Sequence, residues 1–192
     1  MVVTIDGPAG AGKSTVARAV AERLGYRHVD TGEMYRELTA VALQRGADLH
    51  DGDALAALVG TAPTAGVDLR SARISANVSA VSRHEPVRKR MRERQRELAR
   101  DAVLEGRDTG TRVCPDADVK VYLTASVAER ARRRAAELGV PAPDVELAIA
   151  ERDRQDAVQL APAPDAHMVD TTGLDVESVI ERVLSLVRGA RA

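Results

Sequence analysis

The chain has 192 residues, 44% of them hydrophobic and 30% charged, a balance that fits one α/β domain with a small insertion and excludes both wholesale disorder and a membrane-embedded body. Lys and Arg number 28 against 29 Asp and Glu, and the net charge of −1, with no Phe or Trp and only 3 Tyr, removes the positive field and the stacking platforms of a nucleic-acid binder. No apolar run reaches the roughly 20 residues of a membrane-spanning helix, and the lone Cys114 can form neither an internal disulfide nor a cysteine-cluster metal site, so the cytoplasm is the expected compartment.

Val2 to Asp6 is a β-branched run closed by Gly7-Pro8, which predicts a buried central strand ending in a turn. Val16, Ala17, Val20 and Leu24 then fall at helical spacing from Lys13 onward, and Gly25 stops the run. Arg27 to Asp30 reads as a second strand, after which Thr31 is expected to cap a helix running to about Arg45. A short helix is expected over 53–59 and a loop over 60–66, the best boundary in the chain.

An Arg-crowded helix over 83–100 follows, with a narrow apolar stripe at Val87, Met91 and Leu98. Further strands are expected at 102–105, 119–123 and 167–170, and helices at 127–138, 145–158 and 176–187. Strands separated by helices imply parallel crossovers and a three-layer sandwich around a five-stranded parallel sheet, with ligands at the carboxyl ends of the strands.

Gly7-Pro8-Ala9-Gly10-Ala11-Gly12-Lys13-Ser14 matches G-x-x-x-x-G-K-[ST] at every fixed position and lies between a predicted strand and a predicted helix. Such a loop turns backbone N–H groups onto phosphate oxygens, adds the helix N-terminus, brings Lys13 to the β and γ oxygens and offers the Ser14 hydroxyl to Mg²⁺. ATP is the expected ligand. The loop alone leaves switches, motors and small-molecule kinases open. No Asn-Lys-x-Asp guanine reader occurs, and no apolar strand ends in paired acidic residues, which favours a kinase for a small acceptor.

An acceptor that is itself a phosphate must be brought against ATP by fixed cations. Arginines recur at Arg36, Arg107, Arg130, Arg133, Arg134 and Arg152. The segments I-D-G-P-A-G-A-G-K-S-T, D-T-G-E-M-Y-R, E-G-R-D-T-G-T, E-R-A-R-R-R and E-R-D-R-Q-D together resemble the bacterial cytidylate kinases, in order, over about residues 2–57 and 69–188. The resemblance implies γ-phosphoryl transfer from ATP to CMP or dCMP with Mg²⁺, by a monomer on the nucleoside monophosphate kinase fold. It implies a single domain in which 51–100 forms the acceptor segment and about 130–156 the lid. The partners implied are small nucleotides, with no nucleic acid and no membrane.

By position, the resemblance makes Gly7, Ala9, Gly10, Ala11, Gly12, Lys13, Ser14 and Thr15 the donor loop. Arg36, Arg107 and Arg152 are the clamp on the acceptor phosphate, Ser79, Arg88 and Asp108 the readers of the cytosine edge, Asp156 the ribose contact, and Thr31 belongs to the same acceptor set. Lys13, Arg107, Arg130, Arg134 and Arg152 are the groups expected to offset charge in the transition state. The chemistry is consistent, because a carboxylate accepts from the exocyclic amine of cytosine, which uracil lacks.

The pattern breaks at two places. Leu58 to Asp68 offers about ten residues where the family carries a three-stranded insertion, too few at 5–6 residues per strand. After Asp156, where the family has another arginine, the run is Ala157-Val158-Gln159-Leu160. Two other readings therefore stand beside the first at this stage: the same fold acting on a modified nucleotide or another phosphorylated small molecule, and a P-loop binding protein without turnover.

Overall fold

A computed structural model describes residues 1–156 and 160–191, the side chains of Asp144, Arg152, Gln155 and Asp156 excepted. The chain divides into two compact units, Met1–Val29 with Ala99–Ala192, and Asp30–Leu98.

The first unit is built on a five-stranded parallel sheet in the order β2-β3-β1-β4-β5. The strands are β1 (Val2–Asp6), β2 (Arg27–Asp30), β3 (Ala102–Gly106), β4 (Val119–Thr124) and β5 (His167–Asp170). Central β1 pairs Val3 with Val103 and Val119, and Asp6 with Gly106 and Tyr122, so the segments after β1, β3 and β4 leave the sheet from one edge. Ligands of parallel α/β sheets bind along that edge.

Helices α1 (Lys13–Leu24) and α8 (Val176–Arg191) cover one face of the sheet. Val16, Val20, Val179 and Val183 pack there on Val3, Ile5, Val121 and Val169. With no Phe or Trp in the chain, the interior is filled by small aliphatic side chains, each contributing about 1.5–3 kcal/mol on full burial. Helices α6 (Val127–Leu138) and α7 (Ala142–Asp156) pack on each other through Ala131, Ala135, Val145 and Ile149. Helix α7 begins at Ala142, before the expected 145, because Pro143 is admissible in a first helical turn. Residues 157 and 158, the end of the expected helix, lie outside the described residues.

The second unit is helical: α2 (Thr31–Arg45), α3 (Gly52–Ala57), α4 (Ala72–Ser82) and α5 (Glu85–Glu97). Leu38, Ala42, Leu55, Val81, Val87 and Met91 form its core. The N-cap of α2 is Asp30 rather than Thr31. Asp30 has extended backbone and its carboxylate accepts from the Glu33 N–H, whereas Thr31 is already helical. Helix α4 was not anticipated: Ser71 caps it by accepting from the Ile74 N–H, and only Ile74 and Val81 are buried along it. The outer face of α5 carries the ion pairs Arg90–Glu93 and Arg94–Glu97, as a solvated helix face does.

Candidate active site

The loop between β1 and α1 requires glycine at two places. A Cβ on Gly7 would lie 2.1 Å from the Leu123 carbonyl oxygen, and one on Gly10 would lie 2.9 Å from Arg130 Cβ, with φ at +148° and +78° respectively. The loop is braced from outside by two arginines. Arg107 Nη1 donates to the Gly7 carbonyl at 2.7 Å and Arg130 Nη1 to the Ala9 carbonyl at 3.1 Å. Because N–H and C=O oppose each other across a trans peptide, a carbonyl fixed by Arg130 aims the Gly10 N–H the other way. Gly12, left-handed at φ 89°, is the N-cap of α1, and Lys13 Nζ donates to the Pro8 carbonyl at 2.8 Å. Amides, a helix N-terminus without acidic residues in its first turn, and three cationic side chains therefore meet in one loop.

Ser14, the second residue of α1, donates its hydroxyl to Glu105 Oε2 at 2.7 Å, and Thr15 beside it is exposed. Glu105, on β3, holds His28 Nε2 of β2 at 2.8 Å with its other oxygen. His28 does not stand out in the sequence, and Glu105 appears there only as the first residue of the E-G-R-D-T-G-T segment, with no role of its own. The one available cue is an acid near the end of an apolar strand, and it gains meaning only once β3 is seen to lie beside β1.

Past β3, Arg107 and Asp108 lead into a single turn of π-helix, Thr109–Val113. Asp6, at the end of β1, clips this turn to the sheet: its carboxylate accepts from the Thr109 N–H at 3.0 Å, the Thr109 hydroxyl at 2.8 Å and the Gly110 N–H at 2.8 Å. Burial nonetheless holds the Asp6 pKa above the ordinary carboxylate range, outweighing those three donors. Thr109→Val, which removes one hydrogen-bond donor from this buried carboxyl group, is expected to cost about 1–3 kcal/mol. The thermal midpoint should fall by about 2–4 °C for each of these. An unchanged midpoint in a thermal melt would show that the clip carries no stability. Asp108 itself is partly exposed, with Arg112 Nε 3.8 Å from its carboxylate.

Helix α6 brings its arginines to different fates. Arg130 is buried, donating through Nε to the Ala125 carbonyl and through Nη2 to Asp153 at 2.6 Å, besides its bond to the loop. Arg133 reaches the hydroxyl and carbonyl oxygens of Thr171, the residue after β5, at 2.9 and 2.6 Å. Arg134 pairs with Glu137 on the outer surface of the helix. Among the described residues the loop carbonyls of Gly7 and Ala9 are met by Arg107 and Arg130. The side chains of Arg152 and Asp156, and Gln159 altogether, lie outside the described residues.

Glu129 stands in the first turn of α6, its N–H donating to the cap Ser126 Oγ and its carboxylate accepting from Arg132 and Arg133. The bond from Arg132 is the main reason its pKa falls from 4.5 to about 2. A carboxylate with a depressed pKa contributes stability that is complete above its unfolded value and lost as pH falls toward its folded value. Glu129→Gln is therefore expected to flatten the acid limb of stability between pH 4.5 and about 2, read as thermal midpoint against pH. A limb as steep as that of the unaltered protein would refute it.

In the second unit, Thr31 is buried at the start of α2, and Arg36 Nη1 donates to the Leu69 carbonyl at 3.2 Å and to Ser75 Oγ at 3.0 Å. Ser79 lies one helical turn after Ser75 and so shares its side of α4, where it is exposed. Arg88 is half-buried on α5. The sequence reading included Ser79 but missed Ser75, which is the residue that meets Arg36.

A parallel sheet whose central strand feeds a glycine loop, a lysine and a serine at a helix start defines a P-loop fold, and its solved neighbours include kinases. Solved structures of that fold superpose on the whole chain: shikimate kinase from Acinetobacter baumannii in complex with shikimate at a TM-score of 0.54 and 17% identity, covering 97% of this chain and 92% of that one. A gluconokinase from Sinorhizobium meliloti 1021 superposes at 0.56 and 18%, covering 99% and 93%. At the level of sequence, the profile of the family described as cytidylate kinase matches residues 3–189, and the chain belongs to that family. The cytidylate kinase of Shouchella clausii (strain KSM-K16) is 48% identical over 214 aligned positions, covering 97% of this chain and 95% of the relative. A bifunctional pantoate ligase/cytidylate kinase of Synechococcus sp. (strain JA-2-3B'a(2-13)) is 43% identical, over 97% of this chain and 40% of the relative. The chain is thus an enzyme of the nucleoside monophosphate kinase class. The 214 aligned positions exceed its 192 residues, so the Shouchella relative carries residues that this chain lacks.

Proposed function

We propose that the chain transfers the γ-phosphoryl group of ATP to CMP and dCMP, giving the diphosphates. The observation that carries this reading is family membership over residues 3–189 with the E-G-R-D-T-G and D-T-G segments intact. In this reading Gly7 to Thr15 bind the donor phosphates, with Lys13 at the β and γ oxygens. The hydroxyl of Ser14 and the carboxylate of Glu105 are hard oxygen donors, which suits Mg²⁺. These two side chains would hold Mg²⁺, which would supply positive charge to offset that of the ATP phosphates.

The acceptor phosphate is clamped by Arg36, Arg107 and Arg152, and Thr31 belongs to the same acceptor set. Ser79, Arg88 and Asp108 read the cytosine edge, and Asp156 holds the ribose. Arg130, Arg134 and Arg152 offset the charge that develops on transfer, within a lid over about 130–156, and 51–100 serves as a shortened acceptor segment. Positioning and fixed charge carry the catalysis, without a histidine or cysteine base. In this reading, which follows the family resemblance, the chain is a monomer working on free nucleotides in the cytoplasm; among the described residues no helix is long and apolar enough to cross a membrane.

The test is ATP- and Mg²⁺-dependent ADP release with CMP, dCMP, UMP, dUMP, AMP, GMP and no acceptor. Turnover chiefly with CMP or dCMP is expected. ATP binding without acceptor-dependent release, or faster turnover with another base, would overturn the reading.

A further inference from the structure

Ser14 of the donor loop is joined in a line to two side chains from other elements of the first unit, Glu105 on β3 and, beyond it, His28 on β2. The distances are 2.8 Å from His28 Nε2 to Glu105 Oε1 and 2.7 Å from Ser14 Oγ to Glu105 Oε2. The Glu105 side chain is 3% exposed and that of His28 21%.

An ionised carboxylate only accepts, so both neighbours must donate to it. The hydroxyl of Ser14 has a single proton, and giving it to Glu105 leaves the lone pairs of Oγ turned away from the sheet and available to a cation. That orientation lasts only while the carboxylate stays put, and the terminal torsion of a glutamate is broad and roughly two-fold. His28 fixes the torsion from the opposite side. Its Nε2 carries the proton it donates.

We propose that His28 is a positioning residue for the metal-ligating hydroxyl of Ser14, acting through Glu105. The proposal rests on the ATP–Mg²⁺ reading above. It adds that a histidine on the neighbouring strand, outside the phosphate loop and touching no nucleotide, sets how strongly metal and ATP bind together. Groups that hold a metal ligand directly, as Glu105 holds Ser14, typically change metal affinity 10–100-fold when removed, and His28, one contact further out, belongs at the low end of that range.

The test compares ATP affinity in Mg²⁺ with ATP affinity in EDTA, by calorimetry on the full chain, so that the readout is a ratio rather than turnover. His28→Ala and His28→Phe, the second of which keeps a ring but no donor, should reduce the enhancement by Mg²⁺ about 10-fold. ATP affinity in EDTA should hold. His28→Gln, whose amide can donate from nearly the same place, should restore most of the enhancement. In a Ser14→Ala background His28→Phe should change nothing further, because its effect passes through that hydroxyl.

An unchanged enhancement in both His28→Ala and His28→Phe overturns the proposal and leaves the ATP reading standing. An equal further loss in the Ser14→Ala background also overturns it, as does failure of His28→Gln to restore the ratio in a chain that melts normally. An unaltered protein that binds ATP equally with and without Mg²⁺ would remove the underlying reading and this proposal together.

Discussion

Lys13→Ala is expected to abolish phosphoryl transfer in practice, lowering kcat by a factor on the order of 10³ while the fold persists. The loop's cations differ in what they already hold. Arg107 and Arg130 donate to the loop carbonyls of Gly7 and Ala9, and Arg130 is buried against Asp153, whose carboxylate lies 2.6 Å away and offsets its charge. These guanidiniums shape the loop.

Lys13, at the first position of α1, reaches across the loop to a neutral carbonyl, that of Pro8. Exchanging a neutral acceptor for an anionic phosphate oxygen strengthens the hydrogen bond roughly two-fold. It also puts the ammonium where charge shifts during transfer. A factor of 10³ corresponds to about 4 kcal/mol of transition-state stabilisation, the upper range for one charged donor. Lys13→Arg should not rescue, since the planar fork replaces a point charge in a loop whose glycines leave no slack. The check is steady-state ADP release with CMP beside a thermal melt. More than a tenth of normal kcat in Lys13→Ala, with an unshifted melt, would refute the assignment.

The elements that were legible are those whose cause is local. The β-branched run of β1, the glycines that end α1 and α2 in left-handed backbone, and the apolar stripe of α5 can be read within a dozen residues. What was not legible depends on partners far along the chain. The π-turn after Asp108 exists because Asp6, more than a hundred residues earlier, offers its carboxylate to Thr109 and Gly110. Glu105 gains its part only from Ser14 and His28.

Arginines in tandem give the same difficulty at shorter range. Arg130 and Arg134 are one helical turn apart and suggest a shared face, yet Arg134 is held by Glu137, and Arg133 is the one that meets Thr171. Helix α4 is rich in Ser, whose side chains compete for backbone groups, so propensity speaks weakly for it. Its formation follows from the Ser71 cap and from Ile74 and Val81 finding a core. The glycine loop is the exception among functional features, because its chemistry is carried by the backbone and so is written contiguously.

Asp108→Ala is expected to cost cytosine acceptors selectively, lowering kcat/KM for CMP by about 10²-fold while ATP affinity stays put. Asp108 is set by the turn that Asp6 clips to the sheet, with its backbone at φ −136° and ψ 27° and its carboxylate one-fifth exposed. A carboxylate accepts from the cytosine amine and repels the carbonyl that uracil carries in its place. One group thus attracts the right base and penalises the wrong one.

Alanine removes both effects, so the CMP-to-UMP ratio should collapse from both directions: CMP falls, and UMP holds or improves. Asp108→Asn carries the argument further, since its amide donates to the uracil carbonyl and should move preference toward UMP. Arg112, 3.8 Å from the carboxylate, also loses a partner in both variants. A loss that came only from freeing Arg112 would strike CMP and UMP alike. The measurement is kcat/KM for the two acceptors in the three proteins. A ratio unmoved in Asp108→Ala would assign the base reading to Ser79 and Arg88 and leave Asp108 as a structural acid of the turn.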